Sequence, residues 1–333
     1  MQTVTKYHRK GEAAVSRIFI LSVLIIVALS SMSLSRADGE PLPSRPIRLI
    51  VPFTPGGFPD RIARVLAGEW QKENSQRIYV ENKPGAGGML GAAQVARAEP
   101  DGTTLLVSSL PTLVLAPLIN PHADFRPIED FSHLAYIGGP PNAFVVASKS
   151  KIRTFADLIR IARDTPQTYG TAGVGTVGHL TAAYVAQKAN LRLTHIPFNG
   201  PMLGDILSGT LDFGSLTAST VMGGIDAGQL RALAVGTDSR LAKYPDLPTF
   251  KELGFDISPI SWMAISGPAG MQPELKSSLN RQFTGILAQP KLKQVLDREL
   301  IQPIVMSPEE LSDFVQGEIE FWRPIVKTLG LGK

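Results

Sequence analysis

The chain has 333 residues, 44% of them hydrophobic, with 31 glycines, 26 prolines and no cysteine; this is a globular composition with room for two domains of about 150 residues each. Without cysteine there is no disulfide, no cysteine–zinc site, no thiol catalysis and no lipid anchor on an N-terminal cysteine. The formal charge of +4 comes entirely from residues 1–37, where Lys6, Arg9, Lys10, Arg17 and Arg36 face Glu12; the remaining 28 basic and 28 acidic residues balance, so nothing suggests a nucleic-acid surface.

The first predicted element is a cleaved secretory signal over residues 1–37. It has a basic start, an apolar core at Ile18–Leu29, and a small-x-small site, Ser35-Arg36-Ala37, before Asp38. The alternative is a membrane anchor, but the 12-residue core is shorter than the roughly 20 residues that cross a bilayer. An exported chain without disulfides must supply its own large core.

From there the sequence alternates short apolar runs with longer amphipathic ones, the pattern of α/β architecture. IRLIVPF (47–53) reads as a strand and 60–74 as a helix with Ile62, Val65, Leu66 and Trp70 on one face. Strands are predicted at 77–82 and 103–108, with a helix over 89–98 between them, then at 134–138 and 143–148. Thr154 with Asp157 resembles a capping box opening helix 154–164. Strand 167–172, helix 179–190, strand 193–198, helix 201–208, strand 211–216, helix 219–228 and strand 231–236 continue the series. Residues 257–265 read as extended. Helices 273–288 and 291–299 follow, and Ser307-Pro308-Glu309-Glu310 signals the start of a last helix.

The extended segments near 138–146 and 257–265 flank a self-contained α/β series. They predict a discontinuous first domain (38–140 and 262–333) with a second domain (141–261) inserted, and two crossings that serve as hinges.

Three glycine-bearing loops precede helices. In PGGFPD (55–60), Gly56 and Gly57 allow close approach to the backbone, and Asp60 stands where an N-cap would. The loop is an anion site at a helix N-terminus, or simply a capped turn. It lacks the length and the Lys-Ser/Thr of a Walker motif. GVGTVGHL (173–180) matches G-x-G-x-x-G between a strand and a helix, but the next strand, 193–200, lacks the acidic residue that would hold a ribose. An anion at the helix start, met by amides and the Thr176 hydroxyl, is the other reading. PGAGGMLGA (84–92) reads as tight packing against the first loop.

Catalytic patterns are sparse. His8, His122, His133, His179 and His195 form no H-E-x-x-H and no metal-ligand spacing, and no G-x-S-x-G elbow is present. His179 and His195 read as structural.

Taken in order, RPIRLIVPFTPGGFPDRIAR (45–64), VENKPGAGGMLGA (80–92), PDGTTLLV (100–107), YGTAGVGTVGHL (169–180), HIPFNG (195–200), LRALAVGTDSR (230–240) and SPEEL (307–311) resemble the Bug-type extracytoplasmic solute receptors of tripartite tricarboxylate transporters. The resemblance covers nearly the whole chain after the leader. It implies a periplasmic binding protein of the Venus flytrap kind, with two α/β domains closing on a ligand. The ligand-binding residues it implies are Phe53, Gly56, Gly57, Phe58 and Asp60 from the first domain, and Gly173, Gly175, Thr176, His179, Phe198 and Asn199 from the second. It further implies a periplasmic monomer that takes a small organic carboxylate to membrane permease subunits, with no cofactor, metal, nucleic acid or catalysis. A ligand sensor serving a signalling partner, and a secreted enzyme, remain as alternatives.

Four departures from the family pattern point one way. Phe58 follows Gly-Gly where a small polar residue is common, and Met89 follows GAGG where a small polar residue is usual. Phe198 and Asn199 replace the Tyr and Lys of HVPYKG, and Ser215-Leu216 stands where Asp or Asn is frequent. Each change makes a site more apolar or less cationic. Together they favour a ligand with one anionic end and an apolar or aromatic body over citrate.

Overall fold

Ile47–Val51 (β1) buries Ile47, Leu49, Ile50 and Val51 completely and exposes Arg48. A strand buried on both faces belongs inside a sheet, and β1 lies parallel between Ile78–Asn82 (β2) and Thr104–Ser109 (β3). Phe131–Gly138 (β4) and Met263–Pro268 (β10) complete this sheet in the order β2-β1-β3-β10-β4, with β10 antiparallel to both its neighbours. The second sheet is built from Asn142–Ala147 (β5), Gln167–Thr171 (β6), Leu193–Pro197 (β7), Phe213–Thr217 (β8) and Leu230–Val235 (β9). Its order is β7-β6-β8-β5-β9, with β6 parallel to β7 and β8, and β5 antiparallel to β8 and β9. This is a computed structural model, which describes residues 42–43, 45–120, 122–198, 200–302 and 304–332. The predicted signal at 1–37 and the predicted site residue Asn199 lie outside the described residues.

Helices cover both sheets. Phe58–Glu73 (α1), Met89–Ala96 (α2), the short Ala116–Ile119 (α3), Pro273–Leu287 (α8) and Pro290–Arg298 (α9) belong with the first sheet. Phe155–Asp164 (α4), Val177–Ala189 (α5), Leu203–Ser208 (α6) and Ala218–Asp226 (α7) belong with the second. The last helix, Pro308–Thr328 (α10), packs against β4 of the first lobe and α5 of the second. Tyr136–Phe314 and Tyr184–Phe321 ring pairs, at 5.3 and 5.5 Å, join one face of it to a strand of the first lobe and a helix of the second. One continuous hydrophobic cluster therefore runs through both lobes. Both predicted capping boxes are formed, Thr154 with Asp157 and Ser307 with Glu310.

The chain crosses between lobes twice, and the crossings bind each other. The Asn142 N–H donates to Pro259 O at 2.8 Å and the Ser261 N–H to Pro140 O at 3.2 Å, while Pro141 and Ile260 form an antiparallel bridge. A Cβ on Gly139 would fall 2.1 Å from Ser261 O, so only glycine permits this approach.

Three expectations need correction. The extended reading of 257–265 runs early: the strand is 263–268, because 257–262 is spent on the crossing. Asp60 is not the N-cap of α1. Gly57 holds that position, and Asp60 sits in the first turn and reaches back to accept from the Gly56 N–H at 2.9 Å. The region between β3 and β4, without a predicted element, contains a π-helical turn at Leu110–Leu115 running into α3. Ser109 caps it by accepting from the Thr112 N–H at 3.3 Å.

Candidate functional site

Between the lobes lies a cavity of about 640 Å³. The first lobe contributes Ala86, Gly87 and Met89 before and in α2, then Pro111, Leu115, Ala116, Ile119 and Asn120 from the π-helical turn and α3. The crossings contribute Pro140, Asn142 and Ser261. The second lobe contributes Ala172, residues 174–178, residues 215–217 and Thr220.

Local sequence explains each wall. The PGAGG segment turns sharply: Gly87 has φ 68° and Gly88 φ 94°. A Cβ on Gly88 would meet Thr112 Oγ1 at 2.5 Å and Pro52 at 3.2 Å, so the segment packs tightly, on Thr112 and Pro52 where the 55–60 loop was expected. The same segment also borders the cavity. In the second lobe, Gly175 (φ 75°) lets the chain turn into α5. Thr176 is the N-cap, accepting from the His179 N–H at 3.4 Å and donating to Gly173 O at 2.8 Å. That leaves the first-turn amides of Val177 and Gly178 without a described acceptor. At α7, Thr217 is the N-cap residue but its side chain makes no cap bond. The Thr220 hydroxyl turns back to Thr217 O at 2.7 Å, and the Ser219 and Thr220 amides have no described acceptor.

The N-termini of α5 and α7 thus converge on one cavity, and α2 opens toward it from the other lobe. Their free amides and dipoles favour negative charge. Among the described residues, none that lines the cavity is charged. The polar side chains there are Asn120, Asn142, Thr176, Ser215, Thr217, Thr220 and Ser261; the apolar wall is Met89, Leu115, Ile119, Val174 and Leu216. Asn142 is buried, and its Oδ1 accepts from the Ser215 hydroxyl at 2.9 Å. Its Nδ2 has no described acceptor, which makes it a donor available to a ligand.

Of the residues expected at the site, Gly175 and Thr176 line this cavity. Gly173 stands behind them, its carbonyl accepting from the Thr171 and Thr176 hydroxyls. His179 is buried behind the loop. Its Nδ1 accepts from the Gly175 N–H at 3.1 Å, and its ring borders a separate cavity with Tyr169 and His195. Phe198 is partly buried against the second-lobe core around Met202. Phe53 and Phe58 pack against the first-lobe core. Gly56, Gly57 and Asp60 form the turn into α1 and do not border the cavity.

The Asp60 carboxylate is fully engaged. It accepts from Gly56 N–H, from Asn82 Nδ2 at 2.9 Å and from Arg64 Nε at 3.0 Å. The hydrogen bond from Arg64 leads, outweighing the burial that opposes it, and holds the carboxyl down at about 2. Its role here is to lock the turn.

Sequence reasoning did not single out Pro111, Leu115, Ile119, Asn120, Asn142, Thr217, Thr220 or Ser261. One signal was available: Ser109 followed by Pro111 is an N-cap with proline in the first turn. The π-helical turn it opens is a form enriched at functional sites. Asn142 and Ser261 carried no local signal, since only the pairing of the crossings brings them together.

The family model described as Tripartite tricarboxylate transporter family receptor matches residues 62–331. Protein BugT of Bordetella pertussis is 29% identical over 317 residues, covering 93% of this chain and 97% of BugT. Among solved structures, a solute binding protein from Polaromonas without ligand matches with a TM-score of 0.79 at 28% identity, covering 86% of this chain and 99% of that one. The R. palustris protein Rpa4515 with adipate matches with a TM-score of 0.72 at 29% identity, covering 86% and 98%. The two sheets and their crossings are the Venus flytrap fold of these binding proteins. With the family match spanning both lobes, the chain belongs to the tripartite tricarboxylate transporter receptors, the Bug-type extracytoplasmic solute receptors.

Proposed function

We propose that this protein is a periplasmic receptor that closes on a small organic carboxylate and hands it to the membrane permease subunits of a tripartite tricarboxylate transporter. One observation carries the reading: two helix N-termini whose first-turn amides have no described acceptor, and the Asn142 Nδ2, converge on an interlobe cavity whose described lining has no charged side chain. Such a site suits a carboxylate held by neutral donors. The adipate of Rpa4515 supports this ligand class. The predicted leader supports export, and no described helix is long and apolar enough to cross a membrane.

In this reading the carboxylate sits against the α5 and α7 termini, with Gly175 and Thr176 as contacts. The ligand body lies on Met89, Leu115, Ile119, Val174 and Leu216. His179 and Gly173 shape the α5 loop from behind. Phe53, Gly56, Gly57, Phe58 and Asp60 act by support: Pro52 packs on Gly88 and Gly91, so the turn that follows it holds the PGAGG segment in place. Phe198 follows β7 and acts by support, packed on the second-lobe core. The moving bodies are 38–140 with 262–333, and 141–261, hinged at the two crossings.

Calorimetric titration against hexanoate, benzoate, adipate and citrate tests the proposal. With no cation in the described lining, each further carboxylate must be desolvated against neutral groups. Ligands with one carboxylate and an apolar body are expected to bind at least about tenfold better than citrate, the worth of one charge-assisted hydrogen bond. Strongest binding of citrate refutes the ligand class, and no binding of any carboxylate refutes the receptor reading.

A further inference from the structure

On the other side of the crossings, a second cavity of about 320 Å³ opens beside α10. Aromatic rings border it beside aliphatic and charged side chains, with Phe314 and Phe321 half-buried and Tyr136, Trp262 and Trp322 buried. Phe314, Phe321 and Trp322 come from one face of α10, Trp262 from the second crossing and Tyr136 from β4. The rings pack edge to face: Trp262 on Phe314 at 5.5 Å, Tyr136 on Phe314 at 5.3 Å, Phe321 on Trp322 at 5.1 Å.

Glu318 sits on that same helical face, four residues after Phe314 and four before Trp322. Its Oε2 accepts from both indole N–H groups, Trp262 Nε1 at 2.9 Å and Trp322 Nε1 at 3.2 Å. Its Oε1 has no described partner, and the residue lines the cavity. Burial holds this carboxyl above its ordinary range against the pull of the two indoles; an opposite charge would recover the ionised form. The other charged groups lining the cavity are Asp238, Asp256 and Lys251, and the Lys251 ammonium is already bound to Asp238 at 2.5 Å. The remaining charge is negative.

We infer that this cavity is a second ligand site, specific for a small organic cation of the primary-ammonium class. The half-buried rings of Phe314 and Phe321 attract the cation, and Glu318 Oε1 accepts a hydrogen bond that an ammonium N–H supplies. The cavity is separate from the carboxylate site, shares none of its lining residues, and has the opposite charge preference.

The test is calorimetric titration of the mature protein with butylammonium and tetramethylammonium chloride at fixed ionic strength, with indole fluorescence read in parallel. Butylammonium is expected to bind with about 1:1 stoichiometry and to perturb the fluorescence, because the Trp262 and Trp322 indoles both donate to the Glu318 carboxylate. Tetramethylammonium, which has no N–H, is expected to bind at least about fivefold more weakly. Glu318→Gln is expected to weaken butylammonium at least about tenfold. Should that variant fail to fold, Phe321→Leu removes one aromatic face and is expected to weaken it about threefold. Absence of both heat and fluorescence change in the wild type overturns the inference. So does unchanged affinity in a folded Glu318→Gln or, where that variant does not fold, in Phe321→Leu.

Discussion

The imidazoles of His179 and His195 stack face to face, with ring centroids 4.0 Å apart and 14° between planes. Both support the glycine loop before α5 from behind. The Gly175 N–H donates to His179 Nδ1, so that nitrogen is unprotonated. His195 Nε2 lies 2.7 Å from the Thr171 hydroxyl, which bonds Gly173.

This pair makes stability depend on pH. Burial, then the neighbouring His195, holds His179 down at about 4, and burial lowers His195. Burial also holds His133 at about 4. A base held below its unfolded value of 6.5 leaves the unfolded chain to take up protons first as pH falls. The stability it supports is intact above about 6.5 and lost between about 6.5 and 4, with His133 alone worth about 3 kcal/mol. Glu318, held above its ordinary value, works in the opposite direction and offsets part of the loss. The Asp60 contribution vanishes only toward its own value of about 2. Melting temperature is expected to fall steadily from pH 6.5 to 4, and less steeply in His133→Asn; a flat profile over that range contradicts the assignment.

Gly178→Ala should be severe. The added Cβ would lie 2.3 Å from Ser215 O and 3.3 Å from Asn142 Nδ2. The first of these is backbone and cannot rotate away. We expect a loss of about 1–3 kcal/mol in denaturant unfolding, together with loss of carboxylate binding.

Gly175→Ala separates two costs. The residue has φ 75°, and an added Cβ would meet Ile119 Cδ1 of the opposite lobe at 2.7 Å. The backbone cost is about 1–2 kcal/mol, and the contact with Ile119 resists closure. Carboxylate affinity should fall about tenfold by calorimetry, the equivalent of about 1.4 kcal/mol. Adding Ile119→Ala should recover only the steric part. Full recovery would mean that the backbone geometry is unimportant.

Asn142→Asp tests the donor at the hinge. The substitution replaces a neutral donor by a like charge in a cavity whose described lining holds no cation. Carboxylate affinity should fall by more than about tenfold, and further than in Asn142→Ala, since burying unpaired like charges costs more than losing one hydrogen bond. An Asp variant that binds as well as wild type would place the carboxylate elsewhere.

Local sequence determined most of the elements of this protein. The apolar run at 47–51, the capping boxes at Thr154 and Ser307, and the glycine turns before α2 and α5 are short-range features. Their physics is complete within one turn of helix or one strand. The loop at 173–178 was likewise legible as a helix N-terminus, although the Thr176 hydroxyl expected to meet an anion caps the helix and donates to Gly173 O. Tertiary structure decided what those loops face. PGGFPD resembled half of a binding clamp, yet its carboxylate is consumed by Arg64, Asn82 and Gly56. The wall across from Gly175 is instead the π-helical turn and α3, through Ile119. Asn142 and Ser261 meet only because two crossings, distant in the chain, pair with each other. Glu318 became a cavity residue only when α10 laid its aromatic face against Trp262. Such juxtapositions depend on burying one core shared by both lobes, a sum over contacts distant in sequence that no local period or cap encodes.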